Sequence, residues 1–331
     1  MKYLKSLNIK TNGLRISRIG LGGTGIAADS KSQTEGIATI HAALNAGITF
    51  LNTADFYSSG AGEMLIKEAL KSRKREEVFI SVKFGAMTGL DGRMYGLDVR
   101  PQAVKNYLGY TLKRLGTDYI DLYQPARIDS NIPVEETIGA VADLVKAGHV
   151  KNVGISEVDA ATLRKANATY PISLVEVQYS LLNRSIEADL LPAAQQLGIG
   201  VVAFGVLFNG LIGGTAPQEK LANLGKRMSP DAVDLLSNKL LRMDALKEIA
   251  DEKGITLSQL AIAWVLSKGE DVMTIVGAKT PAQLNDVVKV IDVDLSDADI
   301  KRIEQIFPMS EATSSYMLEK LNIDKNGLFK R

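Results

Sequence analysis

The sequence predicts an α/β fold, a (β/α)8 or TIM barrel, on three observations. Strand-length apolar runs alternate with helix-length amphipathic runs almost to the end of the chain. The apolar runs are nearly continuous, which marks strands buried on both faces and hence a parallel sheet covered by helices. The units number eight, which favours closure of such a sheet on itself. An open doubly wound sheet is the competing reading of the same pattern. Residues 1–331 are read as one barrel domain, because such barrels commonly run to about 250 residues or more.

A short amino-terminal β-hairpin is expected around Asn12-Gly13, a tight-turn pair. The strand candidates follow as Ile19 to Gly22, Ile48 to Asn52, Val78 to Lys83, Tyr119 to Gln124, Val150 to Ser156, Leu174 to Gln178, Ile199 to Phe204 and Val272 to Val276. Helical spacing of apolar residues fills the intervals Thr34 to Asn45, Pro101 to Leu115, Pro133 to Lys146, Ala160 to Lys165, Ile186 to Leu197 and Leu257 to Ser267. Ala46-Gly47, Ala147-Gly148 and Leu197-Gly198 end helices just before strands, where glycine takes the left-handed conformation. Leu207 to Asp234 is too long for a plain connection and reads as a lid or mobile segment. Extra helices are expected at the carboxyl-terminal side.

Composition excludes several classes. With 46% hydrophobic and 23% charged residues the chain reads as a globular enzyme, and zero cysteines remove thiolate nucleophiles, disulfides and cysteine metal sites. A net charge of +1 supplies no global field for nucleic acid or an anionic membrane. The cluster Lys71-Ser72-Arg73-Lys74-Arg75 reads as a solvated helix end. No apolar run suits a signal peptide or a membrane span, so a cytoplasmic protein is expected. The oligomeric state has no signature in the sequence.

In a barrel of this kind chemistry sits at the carboxyl ends of the strands. Asn52, Tyr57, Lys83, Gln124, Ala126, Ser156, Gln178 and Phe204 fall at or just past those ends. A phenol, with a reference pKa of about 10, is a poor acid at neutral pH unless a nearby cation favours phenolate. Tyr57, in Asn52-Thr53-Ala54-Asp55-Phe56-Tyr57, and Lys83, closing Val78-Phe79-Ile80-Ser81-Val82-Lys83, supply that pair. The plainer alternative is a tyrosine packing a loop and a surface lysine. His41, within a helix, and His149, at the wrong end of a strand, make no metal site.

On these residues the chain resembles the aldo-keto reductase family from Ile19 to about Ile306. The resemblance implies NADP(H) lying across the barrel mouth, metal-free carbonyl reduction of a small-molecule substrate, and an Asp, Tyr, Lys and His tetrad. Tyr57 and Lys83 match two members, while Asn52 stands at the aspartate position and Ala126 at the histidine position. Without a carboxylate partner Lys83 is expected to lose its proton more easily; Asp55, close in sequence, is a substitute that the loop geometry disfavours. Loss of the histidine removes a donor to the substrate carbonyl, worth about 100-fold to 1000-fold in rate.

The resemblance also places the cofactor. Gly22, Gly23 and Thr24, in Gly20-Leu21-Gly22-Gly23-Thr24-Gly25, match the first contacting turn. Ser156 and Gln178 match the carboxamide site, with Glu157 where the family has asparagine, and Phe204 matches the ring that stacks on nicotinamide. Gly277, Lys279, Gln283 and Asp286 match the adenosine phosphate loop, with Gln283 in place of the usual arginine; this favours NADP(H) over NAD(H). Gln124, Ala126 and Arg127 are the substrate-side candidates. The run Gln124-Pro125-Ala126-Arg127-Ile128-Asp129 is similar to the pyridoxal reductase branch, whose substrate carries a hydroxyl beside its aldehyde. Arg127 would meet an anionic or phenolic group, or pair with Asp129. The competing functions are an NADP(H)-binding protein without turnover and an enone double-bond reductase.

Overall fold

The computed structural model of the chain describes residues 6–9, 14–24, 26, 30–214, 216–226 and 230–309. Eight parallel strands close into a barrel: β1 (Ile19–Gly22), β2 (Phe50–Ala54), β3 (Phe79–Phe84), β4 (Ile120–Pro125), β5 (Val150–Ser156), β6 (Ile172–Gln178), β7 (Gly200–Phe204) and β8 (Val272–Val276). Closure is made by β8 pairing with β1, Thr274 opposite Ile19 and Val276 opposite Leu21. This removes the open-sheet reading. β2, β3, β6 and β8 are buried at every position, which is why their sequences run apolar without alternation. β2 starts two residues later than its apolar run suggests, because the Ile48 amide donates to Ala43 O at 2.9 Å and is spent closing the preceding helix.

The shell begins with α1 (Ser30–Asn45), α2 (Ala61–Leu70), α3 (Pro101–Leu115), α4 (Val134–Lys146), α5 (Ala160–Thr169) and α6 (Leu190–Leu197), one after each of the first six strands. Gly47, Gly148 and Gly198 take positive φ of 84°, 84° and 70° at the helix ends, as expected. Beyond β7 come α7 (Pro217–Gly225), α8 (Pro230–Leu240) and α9 (Met243–Glu252), then α10 (Leu257–Leu266) before β8. α11 (Pro281–Val288) and α12 (Asp297–Ile306) follow β8. The stretch expected as a lid between Leu207 and Asp234 is thus largely helical. α10 is buried from Gln259 to Leu266, and its start is tied by reciprocal bonds between Thr256 and Gln259. Among the described residues no helix is long and apolar enough to cross a membrane.

The amino-terminal hairpin pairs Ser6–Ile9 with Leu14–Ser17, and its Asn12-Gly13 turn lies outside the described residues. Ile16 packs with Phe50, Phe79, Leu122, Leu174, Val202, Met273 and Ile275 inside the barrel. Because residues two apart on a strand share a face, the next positions along these strands form the layer above. They are Asn52 on β2, Ser81 on β3, Gln124 on β4, Glu176 on β6 and Phe204 on β7. The bore therefore passes from an apolar floor to a polar layer, with Lys83, Ala126 and Gln178 one step nearer the mouth. A second hairpin, Ala86–Thr88 with Met94–Leu97, follows β3 at that mouth and has no clear sign in the sequence.

Candidate active site

Tyr57 opens a single 3-10 turn, Tyr57–Gly60, directly after β2. The turn reverses the chain sharply: Ser58 and Ser59 hold left-handed φ of 49° and 53°, and Gly60 follows at 91°. Across the mouth of the bore Lys83 Nζ lies 5.4 Å from the centroid of the Tyr57 ring. Phe56 meets Tyr57 edge-on, with centroids 5.1 Å apart, and so fixes the ring plane.

Lys83 is buried, and its ammonium donates to Asn52 Oδ1 and, at 3.0 Å, to Glu176 Oε1. The other Glu176 oxygen accepts from Asn52 Nδ2 at 2.7 Å and from Gln124 Nε2 at 2.6 Å. Ser81 Oγ accepts from Gln124 Nε2 at 3.2 Å and completes the layer. Burial opposes the charge on Lys83, but the Glu176 carboxylate and the Tyr57 phenol outweigh it and hold its pKa above the ordinary lysine value. The expectation of an unpaired, easily deprotonated Lys83 is therefore corrected, because the missing carboxylate enters from β6.

Asp55 is not that substitute. Residues along β2 alternate, so Asn52 faces the bore and Asp55 faces the shell, where Glu63 and Arg114 surround it. Burial first and the Glu63 charge second raise its pKa to about 7.

Ala126 is buried in a small apolar cluster with Ala86 and Leu97 of the second hairpin, against which Phe56 packs. Only a methyl group stands at this position. Arg127 Nη1 donates to Ala126 O at 2.5 Å. Asp129 does not pair with it, since its Oδ1 accepts from the Asn131 amide and side chain, both at 2.8 Å. His41 is held by Ala69 O at 2.7 Å and His149 by Asp118 O at 3.2 Å, both away from the mouth.

The aldo/keto reductase family model matches residues 18–307. The chain belongs to this family. A curated relative, the probable aldo-keto reductase 1 of Glycine max, is 35% identical over 316 residues, covering 93% of this chain and 90% of that protein. Among solved structures, the glycerol dehydrogenase of Gluconobacter oxydans aligns at a TM-score of 0.80 and 27% identity, over 92% of this chain and 95% of that one. A thermostable aldo-keto reductase solved with the inhibitor epalrestat aligns at 0.75 and 29%, over 91% and 98%. An aldo-keto reductase from Klebsiella pneumoniae in complex with NADPH aligns at 0.74 and 25%, over 92% and 95%. Membership makes the chain an oxidoreductase of carbonyl compounds, and aldo/keto reductases use NADP(H).

The residues at the mouth of this aldo/keto reductase fit a nicotinamide carboxamide. Ser156 Oγ and Gln124 Oε1 are buried and have no protein partner among the described residues, as groups held ready for a ligand are. Glu157 sits at a φ of 53° and its carboxylate accepts from the Gln178 amide at 2.6 Å. Gln178 Oε1 accepts from Asn183 Nδ2 at 3.4 Å, and Phe204 is half-buried above the apolar floor. Gly23 N donates to Asn52 O at 2.7 Å, which binds the first turn to β2 beside half-buried Gly22 and exposed Thr24.

On the β8 side, Gly277 and Lys279 are exposed. The Thr280 hydroxyl caps α11 by accepting from Gln283 N at 3.3 Å, while Gln283 Oε1 accepts from Lys279 N at 2.8 Å. Asp286 faces α10, accepting from Gln259 Nε2 at 2.8 Å and Thr256 Oγ1 at 3.4 Å. The structure thus joins Asn52, Tyr57, Lys83 and Gln124 in one cluster and gives Asp286 a contact between helices. Sequence reasoning missed Glu176. Its signal was present: a lone carboxylate inside Leu174-Val175-Glu176-Val177-Gln178, a strand otherwise free of charge.

Proposed function

We propose that this chain reduces an aldehyde or ketone with NADPH, that Tyr57 donates the proton, and that its substrates carry a hydrogen-bond donor beside the carbonyl, as pyridoxal does. The observation that carries the reading is the convergence of the Tyr57 phenol and the Lys83 ammonium at the barrel mouth. When bound, NADPH supplies the hydride. Tyr57 Oη passes its proton to the carbonyl oxygen as that oxygen gains charge, and the neighbouring ammonium stabilises the phenolate left behind. Ser156 and Gln124 offer unpaired polar atoms for the nicotinamide amide. Exposed Lys279, just before the start of α11, offers charge for the adenosine phosphate.

The restriction in substrate follows from Ala126. A methyl group in an apolar cluster donates nothing to the carbonyl oxygen, and one such donor is worth about 100-fold to 1000-fold in rate. A hydroxyl on the carbon next to the aldehyde-bearing one supplies the bond from the substrate. Arg127, with no acidic partner among the described residues, suits a phenolic oxygen or a separate anionic group of such a molecule.

NADPH oxidation against pyridoxal, 2-hydroxybenzaldehyde, 4-hydroxybenzaldehyde, a simple ketone and an enone tests the reading. Turnover is expected to favour the first two, and Tyr57→Phe is expected to lower kcat by about 100-fold to 10,000-fold. Equal rates on the two hydroxybenzaldehydes overturn the substrate restriction. Turnover of the enone alone supports the double-bond reductase. No oxidation with any of them, together with tight NADPH binding, supports the non-catalytic protein.

A further inference from the structure

We propose that Glu176 is the positioning residue that keeps Lys83 charged and aimed at Tyr57, supplying from the far wall of the barrel the negative charge that Asn52 lacks. The inference rests on the carbonyl-reductase reading above. β2 and β6 are four strands apart in a ring of eight, so they face each other across the bore. Glu176 spans that gap: one oxygen meets Lys83 Nζ at 3.0 Å, the other meets Asn52 at 2.7 Å and Gln124 at 2.6 Å.

Asn52 is then a requirement of Glu176 rather than a defect. Its side-chain nitrogen donates to the carboxylate while its oxygen accepts from Lys83, which an amide can do and an ionised aspartate cannot. An aspartate at 52 would set two carboxylates against each other over one ammonium. The layer holds one negative and one positive charge, with the negative one moved from β2 to β6. Stability alone is a weak reason for it, because well-packed apolar side chains often fill a buried site as well as an ion pair does. Those fill the layer beneath.

The test compares Glu176→Gln and the charge-relocated double variant N52D/E176Q with the wild type, with two readouts. In turnover, E176Q is expected to lose at least about tenfold in kcat with little change in the KM for NADPH. The alkaline limb of its kcat profile moves to lower pH by about one unit or more, because Lys83 is left with burial and no carboxylate. N52D/E176Q regains most of both losses. In thermal melting without cofactor, the wild type exceeds E176Q by a margin that narrows as pH rises from about 7 toward about 10 and is lost only above the ordinary lysine value.

The sign follows from Lys83. Its raised pKa stabilises the wild type below the ordinary lysine value and is lost as pH rises through the folded value. In E176Q burial alone depresses it, so protonation then weakens the fold. A Glu176 that merely fills space gives a margin that does not change with pH. An unmoved kcat profile in E176Q, a pH-independent margin, or a folded double variant as slow as E176Q overturns the proposal. If E176Q does not fold, the double variant decides alone: a folded, active protein supports the proposal and an inactive one overturns it. A wild type inactive on every carbonyl sinks the reductase reading instead, and the melting curves still judge Glu176.

Discussion

Asp55→Asn is expected to stabilise the protein above neutral pH. Asp55 leaves β2 toward the shell, where Glu63 of α2 is fully buried and paired with Arg114 of α3, so two carboxylates share one guanidinium. Backbone amides of Phe56 and Gly85 favour the charged form, but burial and Glu63 prevail and take the pKa from 3.8 to about 7. A tenfold change in proton affinity corresponds to about 1.4 kcal/mol, and the rise is about a thousandfold, so the ionised group opposes folding by at most about 4 kcal/mol.

Because the folded value lies above the unfolded one, the folded state binds more protons between the two. Stability therefore falls as pH rises through that window, and the cost is complete above about pH 7. Asparagine keeps an acceptor for the backbone amides and adds a donor, without the charge. At pH 8 the variant should melt up to about 8 °C higher, at about 2 °C per kcal/mol for a chain of this size. The gain should shrink steadily on acidification and vanish near pH 4, as the unfolded carboxylate also takes up its proton. Melting curves of both proteins across this range read it directly. A variant that melts lower at pH 8, or a gap constant with pH, refutes the reasoning.

Ala126→His places a ring where Ala86, Leu97 and Phe56 now close on a methyl, so it should cost about 1–3 kcal/mol of stability through overpacking. It should still raise turnover of simple aldehydes relative to pyridoxal, by up to about 100-fold, and an unchanged ratio removes the substrate-assistance argument. Gly60→Ala should destabilise by more than about 1 kcal/mol in urea titration. Position 60 holds a φ of 91°, and a Cβ there would lie 2.6 Å from Arg114 Cδ.

Much of the scaffold was readable because its signals are local. α3 spans Pro101–Leu115 as expected, since Pro101 starts it and Gly116 ends it in the left-handed conformation at a φ of 66°. Tyr57 and Lys83 were readable because each closes or follows an apolar strand, and parallel closure brings successive strand ends to one rim. Asp55 is near the site in sequence only: two residues from Tyr57, it lies on the opposite side of the sheet beside Glu63 and Arg114, a distinction that strand parity reveals. Glu176 is separated from Lys83 by 93 positions and from Asn52 by 124, so no local window contains the contact. The second hairpin was hidden because its strands are short and partly exposed.

From residue order came the alternation of strands and helices, the barrel, and the phenol and amine at its mouth, all properties of short-range periodicity and of where each strand stops. Closure of the ring added what no periodicity encodes: which side chain on one wall meets which on the other. That is why an Asn52 that reads as a lost charge becomes, once β6 stands opposite β2, one partner in a network whose charge comes from Glu176.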